Sequence, residues 1–379
     1  MKILFCADMA ATTANEKLFI NGEIEKITDK SILEYLKKFD FRVMNIEMAL
    51  TETNDPIVKC GPNIKSSKKS VNAIKKFNPS LAVLSNNHVL DFGEEGLRDT
   101  VNVLSKNDIP YIGAGENLAA SRIPYIFEQN GKKVGIYNCG EHEFTIAGEN
   151  TWGANPYEPL DTFDDIAELK TKCDYVVVIY HGGKEHYRYP SPELQKRCRK
   201  MIQKGADVVI CQHSHCVGCF EDYNGGKIIY GQGNFVFAEN TDEEAWQTSL
   251  IVGMTVEDDG LKFDYFPICM SEVGTRTATE TEAKEILDNF YNRSEEIKTP
   301  GFIQKSYSEF AAGVIDEYLK KMHNVFDENG GYNMEMITAM FNYFTCEAHV
   351  EVVAQGLYDI FKDEKPYWNY LDDGTLLKL

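Results

Sequence analysis

Long apolar runs are missing from this chain. Nowhere do about 18 apolar residues follow one another, so no transmembrane helix is expected. The opening Met1-Lys2-Ile3-Leu4-Phe5-Cys6-Ala7-Asp8 is too short for a signal-peptide core, because Asp8 interrupts it, and no membrane anchor is expected. Basic charge is scarce as well: 39 Lys+Arg stand against 59 Asp+Glu, a net charge of −20. Nucleic acid and anionic lipid both need a basic surface, which argues against either as a general partner. Cysteine, at 10 residues in 379, is too thin for a disulfide scaffold. Cys6, Cys139, Cys173, Cys211 and Cys269 lie in or beside apolar runs, where the thiol acts as a small hydrophobe. The expected compartment is therefore a reducing cytoplasm. Internal repeats are absent, and Gly113-Ala114-Gly115-Glu116-Asn117 lacks the third glycine of a dinucleotide fingerprint.

What is present is a regular alternation. Short apolar, β-branched runs occupy 2–7, 42–46, 81–84, 133–138, 175–180, 207–211 and 227–230. Helical patterns separate most of them, at 31–39, 71–77, 94–106, 162–170 and 191–204. Such alternation predicts an α/β fold with buried strands. Two further strand-like segments, 249–256 and 261–267, flank Glu257-Asp258-Asp259-Gly260, a hairpin signal. From about residue 281 the pattern turns helical, at 282–289, 304–322 and 334–361, with Ile337, Met340, Phe341 and Phe344 on one face. This predicts an α/β core over 1–270 and a helical appendage over 271–379. An amphipathic stripe needs a surface to bury itself, so docking on the core is expected. A homodimer contact and a wall of the substrate pocket are the alternatives.

The chemistry lies at the strand ends. The first run is followed by Asp8 and the second delivers Asn45-Ile46-Glu47. The third runs into Asn86-Asn87-His88, with Asp91 and Gly93 beyond. The 175–180 run ends in His181-Gly182-Gly183, and the 207–211 run in Gln212-His213-Ser214-His215. Ligands in open α/β sheets bind beyond the carboxyl ends of strands, so these groups can converge. Taken singly, Asp8 reads as a strand-end residue, His181 as packing on its Gly-Gly turn and the His213–His215 pair as a loop feature. Five strand ends carrying ligand chemistry together point to a metal site. Mixed oxygen and imidazole donors suit Mn, Fe or Zn, one or two ions, with a carboxylate able to bridge a pair.

In this order the motifs resemble the CapA family of capsule or poly-γ-glutamate synthesis proteins, related to the calcineurin-like metallophosphoesterases. Tyr230-Gly231-Gln232-Gly233-Asn234-Phe235 completes the resemblance, which spans about residues 1–270. It implies a four-layer α/β/β/α sandwich of metallo-dependent phosphatase type. It also implies that Glu47 bridges two metals, that Asn87, His181 and His213 complete one site, and that Asp8 and His215 hold the other. Metallophosphoesterases usually carry Asp-x-His on the first strand. Here Asp8-Met9-Ala10 stands instead, so one imidazole is missing.

The resemblance implies a metal-dependent hydrolase of a phosphoester or related bond, including a γ-glutamyl bond, in capsule or poly-γ-glutamate metabolism. The alternative is a non-catalytic accessory protein that binds the anionic polymer. Either way the partner is a small or polymeric anion. His88 is the expected general acid, with Asp91 orienting it; Asp91 also reads as a helix N-cap. Asn45, Glu185 and His186 are the expected substrate-binding residues, with Glu185 and His186 equally able to brace their loop. Cys216-Val217-Gly218-Cys219 has no second Cys-x-x-Cys to complete a zinc site and is expected to fill space.

Overall fold

The computed structural model describes residues 1–362 except 240, 242, 259, 328 and 329. Two β-sheets carry the fold. The first has eight strands, in the order Gly274–Thr277, Gly260–Ser271, Thr248–Glu257, Lys2–Ala10, Phe41–Ile46, Leu81–Val83 and Tyr111–Ile112. Asn234–Phe237 pairs beside the end of the Lys2–Ala10 strand. The second has six, in the order Phe220–Tyr223, Gly226–Tyr230, Val208–Gln212, Tyr175–His181, Lys132–Gly140 and Tyr125–Gln129.

Side-chain alternation along the strands builds the layers. Ile3, Phe5, Val43 and Val83 of the first sheet meet Ile136, Val177, Ile179 and Ile210 of the second in one buried cluster. The intervening Leu4, Cys6, Met44 and Ala82 turn outward and pack with Ile32, Ile74, Leu97 and Leu104 from helices. On the far side, Val176, Val178 and Val209 pack with Ile166, Leu169, Cys198 and Met201 of the helices Thr162–Lys172 and Pro192–Gln203. Both faces of each sheet are covered, which is why the central strands read as unbroken apolar runs. The result is the expected α/β/β/α sandwich, and its parallel strands deliver their carboxyl ends to one edge.

Several local expectations shift. The first strand runs to Ala10 rather than stopping at Ala7, with a register break between Cys6 and Asp8 against its neighbour. A bulge of this kind re-aims a side chain, and it places Asp8 within the strand rather than after it. The sheet continues to Thr277, past the expected boundary at 270, because Gly274–Thr277 pairs with the end of Gly260–Ser271. The hairpin before it forms as expected, with Glu257 opposite Gly260; Asp259 lies outside the described residues. The helical appendage begins at Glu280 and consists, as far as Lys362, of Glu280–Glu296, Phe302–His323, Met334–Thr345 and Glu347–Phe361. The single helix expected over 334–361 is broken at Cys346, whose extended backbone (φ −82°, ψ 127°) ends one helix and starts the next.

The appendage docks, but not by the expected stripe. Phe341 and Phe344 are 65% and 63% exposed, while Ala339, Asn342 and Tyr343 are buried. The helix is turned so that a polar side chain, Asn342, reaches the core. No helix among the described residues is long and apolar enough to cross a membrane. All ten cysteines are free thiols, and Cys216 and Cys219 are fully buried, in keeping with a space-filling role.

Candidate metal centre

Asp8, Glu47, His181, His213 and His215 come together at the strand-end edge, each at most 4% exposed. Ligand atoms of Glu47, His181 and His213 lie within 4.8 Å of one another, as do those of Asp8, Glu47 and His215. Glu47 belongs to both groups, the position a bridging carboxylate takes. Asn87 joins the first group, its Oδ1 3.0 Å from His181 Nε2. Backbone strain accompanies this convergence: His213 and His215 hold φ of 87° and 52°, the left-handed region that side chains other than glycine rarely enter. Trp246 packs against the His215 ring, the two tilted by 42° with centroids 4.4 Å apart.

The residues fit divalent ions by what they leave unpaired. Both oxygens of Glu47 and Nδ1 of His213 are buried without a hydrogen-bond partner. A buried carboxylate without a hydrogen bond is costly, and nearly all such groups in proteins find a partner, so Glu47, with only His181 Nε2 3.4 Å away, suits a cation. Burial, then the charges of Glu185 and Glu143, hold the Glu47 carboxyl well above its ordinary range. Burial likewise pushes His181, His213 and His215 down to about 4, which leaves the imidazoles neutral at pH 7 with lone pairs free for coordination.

Asp8 is pushed up to about 6, first by burial and then by the charge of Glu47. A carboxyl that binds its proton more tightly folded than unfolded stabilises the metal-free fold at low pH. That contribution is lost as pH rises from about 4, the unfolded value, through 6. Metal affinity should climb over the same interval, because coordination needs the ionised form. Urea midpoints of metal-free wild type and Asp8→Asn, whose amide mimics the protonated carboxyl, should therefore lie close together near pH 4 and separate as pH rises through about 6, wild type becoming the less stable. A difference between the two proteins that stays constant from pH 4 to 7 would show that Asp8 does not titrate there.

Behind the ligands stands a polar layer. Asn45 is 1% exposed, and its Nδ2 donates to Asp8 Oδ1 at 2.8 Å and lies 3.3 Å from His181 Nδ1. Its Oδ1 accepts from Asn86 at 3.0 Å. The structure thus sets Asn45 against Asp8 and His181, two of the ligand-type residues. His88 Nδ1 lies 2.7 Å from Asp91 Oδ2, the orienting contact expected of the pair. The N-cap reading of Asp91 falls: the helix starts at Gly93 after Phe92, and no side chain caps it. His186 sits at the rim with its Nδ1 2.5 Å from Glu243, while Glu185 stands within 4.8 Å of ligand atoms on His213 and His215.

Two site residues escaped the sequence reading. Lys59, with its side chain 2% exposed, ion-pairs with Asp91 and lies 3.3 Å from His88 Nδ1. A lone lysine in the long 51–64 connection carries no local signal. Glu143 did carry one, since Glu141-His142-Glu143 follows the Lys132–Gly140 strand and makes a sixth strand end with ligand-type residues. Glu143 Oε2 is 3.4 Å from His213 Nε2, while its Oε1 accepts from Asn342 at 3.1 Å and faces His349 at 3.7 Å. The two residues before Glu143 are also held by the appendage. Ala348 N–H donates to Glu141 at 3.2 Å, and Glu347 receives His142 N–H at 2.8 Å. The appendage thus grips a loop that touches a ligand.

Two facing sheets sheathed in helices, with imidazoles and carboxylates gathered at the strand ends, define an α/β/β/α sandwich with a candidate metal centre at one edge. Residues 2–239 match the model of the bacterial capsule synthesis protein PGA_cap, and the chain belongs to that family. It is 29% identical over 265 residues to the capsule biosynthesis protein CapA of Bacillus anthracis, covering 66% of this chain and 63% of that one, somewhat less than two thirds of the relative's length. It is also 29% identical over 266 residues to the PGA biosynthesis protein CapA of Bacillus subtilis (strain 168), covering 66% and 68%. Among solved structures it is similar to a putative 5'-nucleotidase from Staphylococcus aureus at 15% identity and a TM-score of 0.44, over 76% of this chain and 58% of that one.

Proposed function

We propose that this protein is a metal-dependent hydrolase acting on a phosphoester or related bond of an anionic substrate in capsule or poly-γ-glutamate metabolism. The observation that carries the reading is Glu47, a fully buried carboxylate with no hydrogen-bond partner, shared by two groups of ligand-type side chains. Divalent ions held by Asp8, Glu47, Asn87, His181, His213 and His215 would supply positive charge against the substrate's oxygens and acidify a water to a pKa of about 7. His88 is the proton donor to the leaving oxygen. Asp91 accepts from its Nδ1–H and holds the ring, so the proton given to the leaving oxygen is the one carried on Nε2 of the doubly protonated ring. Lys59 holds Asp91 in turn, so the donor is braced through two contacts. His186, exposed at the rim, is the substrate contact.

The test compares metal content by elemental analysis with activity on a generic aryl phosphate. His88→Ala should keep its metal and lose about 10²–10⁴-fold in kcat/KM. A protein inert with added Mn or Zn sinks the hydrolase. That outcome would favour the second reading, an accessory protein that binds an anionic polymer through its ions. Ala10, which removes one ligand from the first strand, is the observation in favour of it.

A further inference from the structure

The two groups of ligands are unequal. Glu47, His181, His213 and Asn87 make four around one position, whereas Asp8, Glu47 and His215 make three around the other. Mn, Fe and Zn take four to six donors, and open catalytic zinc sites still keep three protein ligands beside water. One of the three here is shared, and Ala10, two residues along the same strand as Asp8, brings only a methyl group.

We infer that Glu185 supplies the missing donor and completes the second metal position. Ligand atoms of Glu185, His213 and His215 lie within 4.8 Å of one another, which sets this carboxylate at the seam between the two groups. Its loop is tied down on both sides. Gly182 N–H donates to Gln212 O at 3.1 Å and Gly183 N–H to Glu141 Oε1 at 3.1 Å, while His186 N–H donates to Ser214 O at 2.9 Å. Gly183 and His186 hold φ of 102° and 61°, so left-handed backbone on either side bends the chain over the imidazoles. The Glu185 side chain is 41% exposed, with Lys184 Nζ 3.8 Å away. A carboxylate there stands between the buried imidazoles and solvent.

The inference rests on the metal-centre reading above, and the experiment separates the two. Mn(II) is titrated calorimetrically into the full chain, metal-stripped, as wild type, Glu185→Gln and Glu185→Asp. The bound ions are then examined by electron paramagnetic resonance. Wild type should bind two ions with a dipolar-coupled spectrum. Glu185→Gln should keep the first event and weaken the second by at least about 10-fold, giving the six-line spectrum of an isolated ion, with Glu185→Asp in between. Two events in Glu185→Gln within twofold of wild type overturn this inference alone and leave the metal centre standing. A wild type that binds no Mn(II) overturns both. Because Glu185 is partly exposed, its variants fold, and circular dichroism verifies that before titration.

Discussion

Replacing Arg197 by alanine should cost the protein about 3–5 kcal/mol of stability, the typical penalty for removing one partner of a buried ion pair. Its guanidinium lies 2.8 Å from Glu351 of the appendage and 3.4 Å from Glu141 of the site loop. It also donates to the Tyr180 hydroxyl at 3.1 Å and lies over the Tyr157 ring at 4.9 Å. The side chains of Arg197, Glu141 and Glu351 are 9%, 3% and 8% exposed, so the variant leaves two carboxylates buried without their cation. Burial already lifts both, Glu141 up to about 8. Without Arg197 they hold their protons more tightly still. The loss should therefore be greatest at alkaline pH and shrink as the solution is acidified and both groups become neutral. Urea unfolding from pH 5 to 9 measures this. A loss below about 1 kcal/mol, or one independent of pH, would show that the triad is not what joins appendage and core.

Glu47→Gln should act in opposite directions on metal and fold. Metal affinity should fall by more than about 100-fold at both positions, since even residues behind the ligands are worth 10–100-fold. Activity, where assayed, should vanish with it. The metal-free variant should be no less stable than metal-free wild type, because the carboxylate it replaces makes no hydrogen bond to lose. Most substitutions at a fully buried charged residue destabilise, so this combination is diagnostic. Two intact metal-binding events in the variant would remove Glu47 from the centre of the site. A large loss of stability without metal would mean that Glu47 has a structural partner.

Much of the core was legible from local pattern. Runs such as 175–180 and 208–211 are apolar at every position because both faces of their strands are covered, and that signal survives without any knowledge of neighbours. The ligand-type residues were legible for a related reason: parallel strands end on one edge, so residues that follow them are neighbours whatever the loops do. Asp8, Glu47, Asn87, His181, His213 and His215 were found by that rule. Glu143 obeys it too, three residues beyond the end of the Lys132–Gly140 strand.

Other parts had no local signature. The stripe of Ile337, Met340, Phe341 and Phe344 has sound helical spacing, yet Phe341 and Phe344 face out. The helix is oriented instead by Asn342 and, across the break at Cys346, by Glu347 and His349, which reach residues about 200 positions earlier in the chain. Asn45 and Asp91 gained their contacts the same way. Asn45 meets Asp8 and His181, and of the two readings of Asp91 packing selects the partner of His88, adding Lys59.

The chain by itself determined the layered α/β core, the donor types at the strand ends and the want of a ligand at Ala10, because periodicity and strand direction are local properties. The tertiary structure alone decided which ligand-type side chains gather around Glu47, that Glu185 comes near His213 and His215, and that the appendage grips the loop bearing Glu143. Those contacts join residues far apart in sequence. They are selected by the packing of whole elements and by the need of buried charge for a partner, and neither leaves a periodic trace in the chain.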